Sequence, residues 1–451
     1  FAKGETVYLP PLDGAGLPTR PARLDRPLDF VAVTDHGEFL GEVAICMTPG
    51  MEGYESSTCQ DFRSNSSNGA FDFGFLLSSA DPQRFVDVCG EDGQRCRDAA
   101  LPRWQDMQAA AEEHYDRSSA CGFTAFPAYE YSNTEEVSNL HRNVVFGHEV
   151  VPTLPRTHME SPTPLALWQG LDQDCEEAGP GCDVIVLPHN SNLSNGTLFV
   201  PDYPGAFSAE DQRSIAELRL RMEPVVEVFQ HKGDSECSTR FSPEDPYCDF
   251  EKLRPEGDPG CGEETGNGGM RLWGCSHRLD FVRGVLGEGL VEKQRLGFNP
   301  YELGFIGSTD THNGTPGLVD SYDFPGHVGL VDDTDAKRLA EGTVTHDAII
   351  NNPGGLAAVW AEENSREAIF AALRRREVYA TSGPRISLRF FGGADLPEDL
   401  CAQDAPVATV DSLASPMGST IQGDTAPRFF VQAHQDPGVD GKPGLPLQQV
   451  Q

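Results

Sequence analysis

The sequence predicts an α/β fold in which short apolar strands alternate with helices and carry polar side chains to one end of a barrel. Strand-like runs rich in Val, Ile and Phe recur along the chain, and helix-like stretches separate several of them. Three of these runs stop at a His or at an Asp and a His, namely Phe30–His36, Val184–His189 and Leu303–His312. Alternating strands and helices are typical of an α/β barrel or a doubly wound sheet, and polar residues gathered at strand ends favour the barrel.

The individual elements are predicted from composition and apolar spacing. Strands rich in β-branched and aromatic residues are predicted at residues 28–34, 123–129, 142–147, 183–188, 224–230 and 303–308. Helical apolar spacing predicts helices over Arg103–His114, Glu210–Met222 and Leu279–Arg295. A last helix, Ser365–Arg376, is predicted because Asn364 can cap it and Glu367 lies three residues further on.

Two segments interrupt the alternation, residues 46–121 and residues 232–275. Both contain several cysteines, and the second is dense in Gly, Pro, Asp and Glu, so we expect disulfide-braced insertions that rim the site. The barrel with its insertions is expected to cover residues 1–390. A partial β-rich C-terminal domain is expected over residues 391–451, with strand candidates at Ile386–Phe391, Ala408–Leu413 and Phe429–Ala433.

The cysteine pattern predicts an exported protein. The chain has twelve cysteines, and several lie at short separations that suit disulfides: Cys89 with Cys96, Cys175 with Cys182, Cys237 with Cys248, and Cys261 with Cys275. The competing interpretation, a zinc–cysteine site, is disfavoured because no Cys-x-x-Cys pair occurs. We therefore expect a periplasmic or secreted location.

The charge balance argues against several classes of partner. The chain has 70 acidic and 34 basic residues, which leaves a formal net charge of -36 spread along the sequence. Such a field opposes binding to nucleic acid or to anionic membranes, so no nucleic-acid partner is expected. No run of 18 apolar residues occurs, so no membrane span is expected either. Nothing in the sequence indicates the oligomeric state.

Imidazole and carboxylate side chains at strand ends predict a metal site. Divalent ions such as Zn, Mn or Fe are held by these groups, and a hydrolytic site keeps coordination positions open for water and substrate. The predicted ligands are His36, Glu130, His141, His189, His231, Asp310 and His312. An extended chain at Asp310-x-His312 is expected, which would place both side chains on one side. The alternative for His141, which precedes its strand, is to orient a ligand without binding metal itself.

Charged neighbours of these residues suggest further roles. A site with several metal ions favours a small anionic substrate, and basic side chains would position it. Arg142 follows His141 and Arg385 closes the segment Thr381-Ser-Gly-Pro-Arg, so both are predicted to bind the anion, with a structural ion pair as the alternative for each; Lys232, after His231, is a third candidate. Two carboxylates, Asp35 and Glu227, are expected to accept hydrogen bonds from ligating histidines. Two others, Glu38 and Glu42, are expected at the rim.

The same residues resemble the motifs of a known superfamily. Thr34-Asp-His36, the Glu130 strand, His189, His231 and Asp310-x-His312 resemble the successive motifs of the PHP (polymerase and histidinol phosphatase) superfamily. Four longer segments resemble a bacterial, often exported, domain-of-unknown-function family within it: Asp29–Gly41, Leu187–Asn192, Gly307–Asn313 and Arg375–Arg385. The resemblance covers most of residues 28–390.

The resemblance implies a distorted (β/α)7 barrel with a di- or trinuclear metal centre that hydrolyses phosphoesters. It implies ligand roles for His36, Glu130, His189, His231, Asp310 and His312. PHP proteins open with a His-x-His motif on their first strand, whereas no His precedes His36 here, so we expect that strand to lie upstream of Phe1.

The predicted function is that of a metal-dependent hydrolase of an anionic ester, a phosphomonoesterase or phosphodiesterase in which a hydroxide that bridges the metals attacks the ester. One alternative is an extracellular binding or structural protein whose metals only brace the fold. Another keeps the metals but takes a sulfate ester or an amide as substrate.

Overall fold

Short strands and helices alternate through the part of the chain that the computed structural model describes, which is residues 1–64, 73–254, 259–271, 274–320, 322, 324–341 and 350–450. The strands are β1 Val7–Leu12, β2 Pro18–Ala22, β3 Phe30–Ala32, β4 Thr124–Phe126, β5 Ala128–Tyr131, β6 Arg142–Phe146, β7 Val184–Pro188, β8 Val225–Gln230, β9 Gly233–Asp234, β10 Gly304–Gly307, β11 Leu356–Val359, β12 Val378–Thr381, β13 Ser387–Gly393, β14 Ser415–Pro416, β15 Arg428–His434, β16 Gly438–Val439 and β17 Lys442–Pro443.

The α-helices vary widely in length, and the longest begins inside the first predicted insertion. They span Leu40–Met47, Ser57–Ser64, Val86–Cys89, Gln94–His114, Pro164–Ala178, Ala209–Met222, Val282–Leu296, Asp335–Arg338, Arg366–Arg375 and Pro406–Asp411. No helix in the described ranges combines the length and the apolar character that a bilayer crossing demands.

Hydrogen bonds join the described strands into seven sheets of two or three strands each, and none of these sheets closes on itself. Strand β3 runs parallel to β4, and β8 runs parallel to β10. Strand β6 lies between β5 and β7 and is antiparallel to both. Strand β7 lies beside β8, and β10 lies beside β12. The sheets that carry the predicted ligands are therefore neighbours in space.

Strands β4 to β8 and β10 bury both of their faces, as strands covered on both sides do. One core cluster takes alternate residues of β5, β6 and β7, including Tyr129, Val144 and Val186, and packs them against the helices Gln94–His114 and Pro164–Ala178. A second cluster takes the opposite residues, and its strand members come from β4, β5, β6, β7, β8, β10 and β12. Apolar side chains of seven strands thus meet in one core.

The six strands predicted around the candidate ligands are confirmed, with the run at 123–129 divided into β4 and β5. The helices predicted over 103–114, 210–222 and 279–295 are also present, and the first extends back to Gln94.

Two predictions about the C-terminal part are wrong. The cap of the helix Arg366–Arg375 is Ser365, whose hydroxyl accepts from the amide of Ala368. The side chain of Asn364 instead donates to the carbonyl of Asp29 at 2.9 Å. The segment predicted as a strand at 408–413 belongs to the helix Pro406–Asp411, because Pro406 suits a first turn and Val410 is buried in a small core with Phe391.

The four predicted disulfides are present, and a fifth joins Cys46 to Cys59. Cys121 and Cys401 are free. Cys46–Cys59 and Cys89–Cys96 lie in one buried cluster with Ile45 and Val88. The first insertion therefore has a small core that two disulfides cross-link. Five disulfides are typical of an oxidising environment, extracellular or periplasmic.

Candidate metal centre

The structure brings all seven predicted metal ligands into one cluster. They form three overlapping groups whose nitrogen and oxygen atoms lie within 4.8 Å of one another: His36 with Glu130 and His312, Glu130 with His141 and His189, and His231 with Asp310 and His312. Glu130 and His312 each belong to two groups, so the three groups are continuous.

The topology explains why residues so far apart in sequence meet. His189 directly follows β7, His231 directly follows β8, and Asp310 comes shortly after β10, so each lies beyond the carboxyl end of a strand. His141 precedes β6, but β6 runs antiparallel to β5 and β7, and its start therefore lies where those strands end. The amide of His189 accordingly donates to the carbonyl of His141.

Glu130 is the centre of the first two groups. Its carboxylate lies 2.7 Å from Nδ1 of His141, 3.3 Å from Nδ1 of His36 and 3.4 Å from Nε2 of His189. Burial by itself would raise the pKa of Glu130, but the charge of His36 and the hydrogen bonds from the other two histidines hold it well below its usual range. The glutamate is therefore a buried anion surrounded by three imidazoles.

Asp310 is the centre of the third group. Its Oδ2 accepts from Nε2 of Gln230 at 2.9 Å and from Nζ of Lys232, and it lies 3.5 Å from Nε2 of His231. The backbone of Asp310 is left-handed, with φ at 51°, a conformation that costs free energy in most residues and that clusters at functional sites. Nδ1 of His312 lies 2.8 Å from the Asp310 carbonyl, which orients that ring.

The donor set suits a divalent metal ion. Five imidazoles and two carboxylates match the nitrogen and oxygen ligands of Zn, Mn or Fe. Burial lowers the pKa of His141 to about 4, and burial together with Lys232 lowers that of His231 to about 3, so both rings are neutral, the form that metals bind. The buried Nδ1 atoms of His189 and His231 have no hydrogen-bond partner among the described residues, and coordination would compensate such an atom.

The surroundings of His189 also favour a positive charge. Burial lowers its pKa, but the hydrogen bond and charge of Glu130 outweigh burial and raise the pKa to about 9. A proton held between these two groups occupies a position that a metal cation can take.

Two other acid–cysteine groups in the described residues do not suit a metal. Glu42 lies near Cys89 and Cys96, and Asp245 lies near Cys237 and Cys248. Both cysteine pairs are disulfides, and a disulfide sulfur has no thiolate to donate.

Asp35 and Glu227 flank the cluster in different ways. The Asp35 side chain is exposed and lines the cavity above the cluster, and its carbonyl accepts from the amide of Glu130 at 2.8 Å. Glu227 is buried and accepts from the amide of Asn190 at 3.2 Å and from the hydroxyl of Ser308. Burial raises the pKa of Glu227 to about 7. Its hydrogen bonds thus go to neighbouring polar groups that shape the strand ends, and not to a ligating histidine as predicted.

The two arginines predicted to bind an anion lie elsewhere. Arg142 is fully buried, and its Nε donates to Glu223 at 2.7 Å. The guanidinium of Arg385 donates to the carbonyl oxygens of Pro27 and Arg26 at 2.8 and 2.6 Å. Neither takes part in the contacts of the cluster. Arg142 has the structural ion pair that was its alternative role, whereas the guanidinium of Arg385 bonds to backbone carbonyls.

Two carboxylates expected at the rim are fully buried. Oε1 of Glu38 accepts from the amides of Ser132 and His158 at 2.8 and 3.3 Å. Glu42 accepts from Arg84 at 2.8 Å. Both carboxylates therefore lie in the interior of the protein and not at the rim.

Two residues that the sequence did not indicate lie at the cluster or at its cavity. The ring of His327 lies 4.1 Å from that of His231, and its Nε2 lies 2.6 Å from the carbonyl of Asn352. Arg271 is exposed and lines the same cavity. His327 lies in an irregular segment and Arg271 ends the short 3₁₀ helix Gly269–Arg271, so no strand periodicity marks either residue. A histidine directly after a glycine, as in Gly326-His327, is too common a pattern to have identified the first.

The cluster opens into a cavity of about 2440 Å³. His36, Glu130, His141, His231, Asp310 and His312 line it, together with Lys232. Side chains of the first insertion line another part of the same cavity. A molecule in this cavity can therefore reach the candidate ligands.

The comparisons with known proteins give a family and no closer relative. Neither the curated proteins nor the solved structures contain a match to this chain. A family model described as "Protein of unknown function (DUF3604)" matches residues 1–451. Because that match spans the whole sequence, the chain belongs to the DUF3604 family.

Proposed function

We propose that the protein is a metal-dependent hydrolase of anionic esters, with a phosphomonoester or phosphodiester as substrate. The observation that supports this is the convergence of seven nitrogen and oxygen donors from residues 36 to 312, six of which line one open cavity. A metal that only braces a fold is usually enclosed by its ligands, whereas His36 and His312 are exposed to the cavity.

Two or three divalent ions of Zn, Mn or Fe would be held by the three groups of the cluster. When bound, such ions act as Lewis acids and lower the pKa of coordinated water. Lys232, whose Nζ lies 2.9 Å from Nε2 of His231, is the cation closest to these ligands, and Arg271 lies at the cavity wall. In the proposal, these two residues hold the anionic group in place of Arg142 and Arg385.

The fold and location proposed with this function are a distorted (β/α)7 barrel and the periplasm or the extracellular space. The barrel is supported by the core cluster that seven strands share and by the meeting of ligands at strand ends. The location is supported by the five disulfides.

The first prediction concerns His189, whose side chain is 1% exposed and lies against Glu130. In the full chain, His189→Ala is expected to lower the bound Zn, Mn or Fe and to reduce hydrolysis of p-nitrophenyl phosphate or its bis ester by about 100-fold or more, since loss of even an outer partner costs about 10–100-fold. Metal content is measured by plasma mass spectrometry alongside the initial rates.

The matched control is His434→Ala, because His434 is exposed on β15 and outside the cluster. It is expected to change neither metal content nor rate. A purified wild-type chain without transition metal, or equal rates in wild type and His189→Ala, would contradict the proposal. Metal retained without hydrolysis of any phosphate, sulfate or amide substrate would favour a binding protein.

A further inference from the structure

The cavity above the metal cluster has an apolar wall on one side. The helix Leu40–Met47 lines it with Leu40, Val43, Ala44 and Met47. These positions follow the spacing i, i+3, i+4 and i+7, so they lie along one face of the helix. The helix begins four residues after His36, and both His36 and Leu40 line the cavity.

Further apolar side chains line the cavity from other segments. Phe75 of the first insertion and Leu330 of the segment after His327 both do so. Phe75 is 66% exposed, Met47 is 59% exposed and Leu330 is 52% exposed. Single exposed apolar side chains are ordinary, but several that line one cavity indicate an apolar ligand.

The cavity is larger than an anionic head group needs. Its volume of about 2440 Å³ exceeds the roughly 300–1,000 Å³ typical of small-molecule sites. The helix face from Leu40 to Met47 is roughly 10 Å long at about 1.5 Å per residue, which is about the length of an octyl group.

We propose that the natural substrate is an amphiphile, in which the anionic ester group lies at the metal cluster and a long alkyl or aryl group lies along the wall formed by Leu40, Val43, Ala44 and Met47. This inference rests on the proposed hydrolase function and specifies its substrate class. The occupant is assigned to the substrate because the wall and the ligands line one cavity. The net charge of -36 opposes an anionic membrane as the alternative occupant.

The test compares ethylphosphonate with octylphosphonate, whose C–P bonds are not hydrolysed, on the full chain loaded with Mn²⁺ or Zn²⁺. Because a fully buried methylene contributes about fourfold to binding, octylphosphonate is expected to bind at least about 30-fold more tightly by calorimetry. The value of kcat/KM is expected to rise by a similar factor from ethyl phosphate to octyl phosphate, below the concentration at which micelles form.

Substitutions in the wall test whether it is responsible for the tighter binding of octyl compounds. Val43→Asp and Met47→Asp are each expected to reduce the ratio of octyl to ethyl affinity by about tenfold, because a carboxylate opposes burial of an alkyl chain. The matched control is Leu290→Asp: Leu290 is 61% exposed on the helix Val282–Leu296 and does not line the cavity. This control is expected to leave the ratio unchanged.

The outcomes separate this inference from the proposed function. Hydrolysis of ethyl phosphate with no preference for octyl compounds would contradict the proposal that the wall binds an alkyl or aryl group. It would leave the hydrolase proposal unaffected. Tighter octylphosphonate binding without hydrolysis of either ester would support the wall and contradict the hydrolase. A change of oligomeric state in Val43→Asp, with an unchanged octyl to ethyl ratio, would overturn the inference and assign the wall to contacts between copies of the chain.

Discussion

Arg142 shows how burial changes the role of a charged side chain. Its position next to His141 in sequence suggested an anion-binding arginine, but successive residues of a strand point to opposite faces. His141 therefore faces the cluster while Arg142 faces a core, where Glu223 neutralises it. Trp168 also donates to Glu223 at 3.0 Å, so the carboxylate serves two buried donors.

The second prediction follows from this buried pair. Glu223→Ala is expected to lower the free energy of unfolding by about 3–5 kcal/mol, because the change leaves the Arg142 guanidinium buried without its counter-charge. The matched control is Asp172→Ala, which breaks the half-exposed pair with Arg221 and should cost about 1 kcal/mol or less. Urea unfolding followed by circular dichroism measures both, and equal losses would contradict the argument.

Strand direction decided which side chains join the cluster. A sequence with strands and helices in alternation suggests parallel neighbours, yet β6 is antiparallel to β5 and β7. That reversal brings His141, the residue before a strand, to the same edge as His189, the residue after one. His141 therefore joins the cluster because β6 pairs in the antiparallel direction, and the local sequence does not specify that direction.

The third prediction concerns the first insertion, whose helices enclose Cys46–Cys59. Replacing both cysteines by Ala is expected to lower the free energy of unfolding by about 3 kcal/mol, the loop-closure value for a separation of 13 residues. The helix Leu40–Met47, which contains Cys46 in its last turn, should lose protection from hydrogen exchange. Replacing the unpaired Cys401 by Ser is the control and should have no effect on either measurement. An unchanged exchange rate in the double variant would show that packing alone holds the insertion.

The excess of acidic residues acts on the stability of the whole chain and not at a single site. A formal net charge of -36 on 451 residues opposes the compact state by self-repulsion. Five Lys and Arg residues line the cavity within the described part of the chain, and Arg95, Arg103 and Lys337 pair with carboxylates. Lys232, which contacts His231, and Arg271 are therefore the candidate anion-binding groups. The same field opposes polyanionic partners, whereas bound metal ions would attract the small anionic substrate proposed above.

The fourth prediction is that added KCl stabilises the protein near pH 7. At 0.1 M salt, repulsion between exposed charges more than about 10 Å apart is largely screened, so Tm is expected to rise between 10 and 500 mM KCl. The rise should shrink near pH 4.5, the isoelectric point of the sequence, because the net charge there approaches zero. Scanning calorimetry at both pH values measures the effect. A Tm that falls with salt at pH 7 would show that attractive ion pairs, and not self-repulsion, dominate.

The strands and helices near the cluster were predictable because their apolar spacing is local. Runs such as Val184–Pro188 read as strands without any knowledge of their neighbours, and His189 at the end of that run reads as a ligand. The helix Pro406–Asp411 was missed because six residues with Val and Thr fit a strand equally well. The burial of Glu38 differs from the prediction because the amides that donate to its carboxylate, those of Ser132 and His158, come from distant segments.

The sequence by itself determined the chemical types at the strand ends, the disulfide framework in four of its five pairs and the acidic character of the chain. All of these depend on residue type and short-range order. Only the tertiary structure decided that the seven ligands meet, that Arg142 and Arg385 turn away from them, and that an apolar wall lines the same cavity. The reason is physical: these facts depend on which strands pair and in which direction, and pairing energy comes from contacts between residues far apart in the chain.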